Sequence, residues 1–135
     1  MKKSLLTALV LLVGTPSLAI AACTGSTRVT GTALNTLIEG NTVCATRGSE
    51  VWQEQHRAGG QLWDYKMGPG HPVDPTKQVG TWSISRSAVT YCYTGGLCYS
   101  YSVHGPAGGP YSFCFLNGTE VVRGAKFKPG LTSCP

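Results

Sequence analysis

The stretch AVTYCYTGGLCYSYSVH, residues 88–104, decides the reading of this chain. Two alternating runs flank Thr94-Gly95-Gly96, a composition that favours a tight turn. A turn centred on Gly95 sets Cys92 opposite Cys98 and Tyr91 opposite Tyr99. The segment therefore reads as a β-hairpin with a disulfide across it. Dithiol redox sites use C-x-x-C at a helix start, and structural zinc sites use closer cysteine pairs. Five residues separate Cys92 from Cys98, and their flanks are strand-like. A structural staple closing so short a loop stabilises by about 2 kcal/mol in the chain-entropy model.

Similar short strands lie on both sides. Residues 41–46, 50–57, 61–67, 78–85, 88–93, 97–104, 111–116 and 119–124 all read as strands, and 125–128 as a further short one. Ala58-Gly59-Gly60 and Asn117-Gly118 mark hairpin turns, while residues 68–77 and 105–110 are Gly/Pro-rich loops. Asn117-Gly118-Thr119 also matches a glycosylation sequon, for which the hairpin turn is the simpler reading. One short helix is predicted over 32–39, with Thr32 as N-cap, Gly40 after its end and Ala33, Leu34, Leu37 and Ile38 on one face. With no crossover helices between strands, the expected fold is mainly β. It is an antiparallel meander forming a small barrel or two-layer sandwich, with one short N-terminal helix, stapled by disulfides.

The N-terminus bounds the compartment. Lys2 and Lys3 precede an apolar run, Leu5 to Val13, too short to span a bilayer, so residues 1–22 read as a secretory signal. Ala19-Ile20-Ala21 fits a cleavage site, whereas Ile20-Ala21-Ala22-Cys23 resembles a bacterial lipobox. Either way the chain is expected to be a bacterial exported protein, touching a membrane only if Cys23 is lipidated. Residues 23–135 are enough for a single domain with one core. The six cysteines suggest three disulfides. The expected pairs are Cys92–Cys98, Cys44–Cys114 and Cys23–Cys134, the last tying the termini, although six cysteines allow many connectivities.

Losing Lys2 and Lys3 lowers the formal net charge from +5 to +3. The remaining basic side chains are scattered, so no nucleic-acid footprint is expected. Period two puts Tyr91, Tyr93, Tyr99, Tyr101, Tyr111, Phe113 and Phe115 on one face, the expected core. Ser100, Ser102, His104 and Ser112 fall on the other face, which is expected to be solvated.

Candidate chemistry gathers in EVWQEQHRAGGQLWDYK, residues 50–66. The turn at 58–60 would set Glu54 opposite Asp64 and His56 opposite Leu62, with Trp52 and Lys66 on the same face. Glu54, His56 and Asp64 could hold a metal or run acid–base chemistry. Alternatively they line a solvated strand face balanced by Lys66, and one slip in register dissolves the cluster. His71 and Asp74, in the 68–77 loop, are a further binding candidate. No serine-hydrolase elbow, H-E-x-x-H, P-loop or dinucleotide fingerprint is present.

The elements GNTVCA (40–45), VGTWSI (79–84) and VTYCYTGGLCYSYSV (89–103) resemble small exported proteins of Gram-negative bacteria with a GNT element, a G-T-W strand and a Tyr-rich hairpin. That resemblance implies a periplasmic or surface location, immune visibility in some members and no mechanism. The reading is a non-enzymatic, monomeric binding domain without a cofactor, acting on an unidentified protein or envelope component. Its alternatives are a hydrolase inhibitor using loop 68–77 or 105–110, and a small metal-dependent enzyme using Glu54, His56 and Asp64.

Overall fold

The computed structural model describes residues 22–64 and 77–134, and the backbone only of Glu50. A short 3₁₀ turn, Gly25–Thr27, leads into helix α1, Gly31–Ile38. Eight strands follow: β1 Thr42–Arg47, β2 Glu50–Arg57, β3 Gln61–Asp64, β4 Lys77–Ser85, β5 Ala88–Tyr93, β6 Cys98–His104, β7 Tyr111–Phe115 and β8 Glu120–Lys128. Each pairs antiparallel with its neighbours in sequence, and β8 closes on β1, giving an eight-stranded barrel rather than a sandwich. Closure leaves no open edge, which is how a meander of short strands avoids edge-to-edge aggregation.

The expected registers hold. Tyr91 pairs with Tyr99 and Cys92 with Cys98. Glu54 pairs with Asp64 and His56 with Leu62. The two strands read over 119–128 are one strand, because Gly124, at φ +73°, absorbs an irregularity in the β7–β8 ladder. Both Val122 and Ala125 stay buried across that break.

An eight-stranded barrel has an interior that side chains just fill. Val43, Leu62, Trp82, Val89, Tyr91, Val103, Phe113 and Ala125 form that core with Leu34 and Ile38 of α1. The helix begins one residue earlier than expected, with Thr30 rather than Thr32 at its N-cap. Its buried residues are Leu34 and Ile38, while Ala33 is exposed. It plugs the end of the barrel that also carries the 58–60 and 86–87 turns and the 105–110 loop. Asn41 fixes this plug: Nδ2 donates to the carbonyls of Thr36 and Leu37, and Oδ1 accepts from Gly130 N–H. The opposite end carries the 48–49, 94–97 and 116–119 turns and forms the mouth.

The disulfides are Cys92–Cys98, as expected, with Cys23–Cys114 and Cys44–Cys134. The last two correct the expected Cys44–Cys114 and Cys23–Cys134 pairs. The termini do not meet each other, because each runs back along a different part of the outer wall. The N-terminal segment lies over β6 and β7, through an Arg28–His104 bridge and Gly105 N–H bonded to Thr27 O. The C-terminal segment lies over β1 and β2, where Thr42 Oγ1 bonds Gly130 O and Thr132 N, and Cys134 N–H bonds Gln53.

That cover corrects a second expectation. Ser102, His104 and Ser112 face outward but are buried, and His104 is not the exposed strand-end histidine expected. Its Nδ1 donates to Thr24 O at 2.8 Å, and its Nε2 lies 2.9 Å from Ser102 Oγ. Burial and the nearby Arg28 charge lower the His104 pKa, partly offset by the Thr24 bond.

Candidate functional site

Strand β2 turns its even-numbered side chains into the barrel, and this places Trp52, Glu54 and His56 inside. Asp64 joins them from β3 through its pairing with Glu54. Sequence periodicity grouped these four residues correctly but left open which side of the sheet they occupy. Glu54 and His56 are buried, so this face is not a solvated one. His71, Asp74 and Lys66 lie outside the described residues.

The buried polar groups are tied to each other. His56 Nδ1 lies 3.2 Å from Asn41 O, a pure acceptor, so Nδ1 carries the proton. The bare Nε2 then accepts from the Tyr91 hydroxyl at 2.9 Å. The ring is further enclosed by Trp82, Tyr91 and Phe127. Burial lowers the His56 pKa to about 4, against a smaller opposing effect of the Asn41 bond. The imidazole is therefore neutral at physiological pH, with neither nitrogen turned to solvent. One strand step toward the mouth, the Tyr93 hydroxyl donates to Glu54 Oε1 at 2.8 Å. Burial, then the Glu54 charge, hold the Tyr91 and Tyr93 phenols well above the ordinary tyrosine range. Both stay protonated hydroxyl donors, not phenolates.

Both ring nitrogens of His56 are thus engaged within the protein. A metal at His56 would need the Nε2 lone pair that Tyr91 uses. Among the described residues no group of three His, Cys, Asp or Glu side chains is arranged to hold a metal ion.

The mouth has a different character. Tyr93, Tyr99, Tyr101 and Phe115, on consecutive strands, form a row of neighbouring rings; Tyr99–Tyr101 and Tyr101–Phe115 are stacked with centroids 6.5 and 5.4 Å apart. Trp52 extends the row by edge contacts to Phe113 and Tyr91. Tyr93, Tyr101, Phe115 and Trp52 are only half-buried. Around the rim, Val51, Leu97, Tyr99 and Leu116 are exposed, Leu97 and Leu116 at 63% each. Leu131 is the remaining exposed large hydrophobic residue described, and it lies elsewhere, on the C-terminal segment. Sequence reasoning missed this rim, although a leucine inside each of two Gly-containing turns was a legible anomaly, since turns favour Gly, Asn, Asp, Ser and Pro.

A cleft of about 670 Å³ sits at the plugged end, between α1 and the 105–108 segment. Val29, Leu37, Pro106, Tyr111 and Phe127 supply much of its lining. Comparison with family models, with curated proteins and with solved structures finds no match.

Proposed function

We propose that the chain is a non-enzymatic binding domain of the periplasm or cell surface that meets its partner at the barrel mouth. The observation carrying this reading is the placement of Val51, Leu97, Tyr99 and Leu116. Four exposed apolar side chains at one end of a small barrel, backed by half-buried rings, have the composition of an interaction face. Within the barrel, hydrogen bonds tie His56 to Asn41 and Tyr91, and Glu54 to Tyr93.

Three disulfides suit an oxidising compartment, and among the described residues no helix is long and apolar enough to cross a membrane. Cys23 Sγ is bonded to Cys114, and one sulfur cannot carry both a disulfide and a lipid thioether. This favours the Ala19-Ile20-Ala21 cleavage reading, without lipidation. The resemblance to small exported Gram-negative proteins agrees with such a location.

A photo-cross-linking residue at 97 or 116, with a control at 107 on the plugged end, tests the reading in an extract of the exported fraction. Saturable adducts from 97 and 116, competed by excess wild-type protein but not by the L97S/L116S double variant, support it. Equal adducts from 107, or none that saturate, refute it.

The inhibitor reading retains one specific support. The 105–110 loop is preorganised by bonds from Gly105 N–H to Thr27, Gly108 N–H to the Tyr111 hydroxyl and Gly109 N–H to Pro106. It also exposes Pro106 and Ala107. Inhibition of a hydrolase that survives L97S/L116S but not A107E would favour that loop over the mouth.

A further inference from the structure

The three disulfides are not equivalent. Cys23–Cys114 and Cys44–Cys134 span 91 and 90 residues and hold the two terminal segments against the barrel wall. Cys92–Cys98 spans 6 residues, and the ladder already holds those strands through Tyr93 N–H to Leu97 O and Gly96 N–H to Tyr93 O. Its loss therefore removes little that the backbone does not also supply, and a short-loop staple contributes least to folding. Access differs too. Cys98 is exposed on the outer wall beside the 94–97 turn. Cys114 is wholly buried, and Cys23, Cys44 and Cys134 are half-buried. The strand register fixes the Cys92 and Cys98 Cα atoms 4.0 Å apart, against 6.0 and 5.8 Å in the other pairs.

We propose that Cys92–Cys98 is a thiol-exchange site, reduced in the folded protein by a dithiol while the two tethers stay closed. A thiolate of the dithiol attacks the exposed Cys98 Sγ and forms a mixed disulfide. The Cys92–Cys98 bond breaks, and Cys92 leaves as a thiolate that takes a proton. The second thiol of the reductant then attacks the mixed disulfide and releases Cys98 as a thiol. Two electrons pass to the protein, and the reductant leaves as its own disulfide. The hairpin tip, which carries Leu97 and Tyr99 on the rim, then loses its covalent cross-strand link and keeps its backbone bonds and the Tyr93–Tyr99 ring contact. The site stands on exposure and register and is independent of what the mouth binds.

The test is a timed reduction of the fully oxidised exported chain with dithiothreitol at neutral pH. Samples are quenched with N-ethylmaleimide, mapped by peptide mass, and followed in parallel by near-ultraviolet circular dichroism. Cys92 and Cys98 are expected to label together at least tenfold faster than the other four, with the aromatic dichroism of the barrel retained. A C92S/C98S variant should fold and resist the same reductant over the same period; the wild-type time course decides the question even if that variant fails to fold. Earlier or simultaneous labelling of Cys23, Cys114, Cys44 or Cys134, loss of dichroism in step with Cys98 labelling, or no labelling at all would overturn the proposal.

Discussion

Acidification below neutrality should weaken this barrel, and His56 is the reason. An unfolded histidine titrates near 6.5, whereas burial holds His56 at about 4 in the folded chain. Between those values the unfolded state binds a proton that the native state refuses, so stability falls as pH falls. The His56 contribution is complete above the unfolded pKa and is withdrawn as pH drops from about 6.5 toward 4. From these two values, linkage gives a loss of roughly 2 kcal/mol between pH 7 and pH 5, and about 3 kcal/mol by pH 4. His104, whose pKa is also lowered, adds a loss of the same sign. Urea denaturation at pH 7, 6 and 5 measures the slope with the disulfides kept oxidised. His56→Gln isolates the His56 part. It should cost about 1–3 kcal/mol at pH 7, because one of two buried hydrogen bonds is lost, and should flatten the slope below that of wild type. Equal slopes in the two proteins, or a flat wild-type profile from pH 7 to 5, would refute the assignment of His56 as a buried neutral group.

Three further outcomes follow from the same packing. Tyr91→Phe strips the hydroxyl from His56 Nε2 without changing the ring, and should cost about 1–3 kcal/mol in a urea melt. Gly80→Ala should lower stability by at least about 2 kcal/mol, because the new methyl would lie 2.1 Å from Cys92 O and force β4 and β5 apart; an unchanged melting temperature would disprove that close approach. Removing the Cys44–Cys134 tether by a double serine substitution should cost about 4–5 kcal/mol in the chain-entropy model, against about 2 kcal/mol for Cys92–Cys98, with chemical melts giving the difference.

Local signals carried far in this chain. Alternation and turn composition located the strands, and the turns around Gly95 and at 58–60 fixed the registers that pair Cys92 with Cys98 and Glu54 with Asp64. What stayed hidden depends on residues distant in sequence. Glu54 and His56 look like solvent-facing residues until Tyr93 and Tyr91, on β5, are brought across the barrel to bond them. Ser102, His104 and Ser112 alternate as a solvated face should, and become buried only because residues 22–28 fold back over them. Disulfide pairing failed for the same cause. Cys92–Cys98 is a local register, but the partners of Cys23 and Cys44 are set by the paths of the termini over a closed surface. Helical period puts Ala33 on one face with Leu34, Leu37 and Ile38, yet the short plug buries only Leu34 and Ile38, with Leu37 partly covered.

The mouth, the covered wall and the buried His56–Tyr91 pair all depend on one topology, and the disulfide map of the native protein tests it most directly. Proteolysis without reduction, followed by mass analysis of the linked peptides, should join Cys23 to Cys114, Cys44 to Cys134 and Cys92 to Cys98. A peptide joining Cys23 to Cys134, or Cys44 to Cys114, would place the terminal segments elsewhere on the barrel and contradict this account.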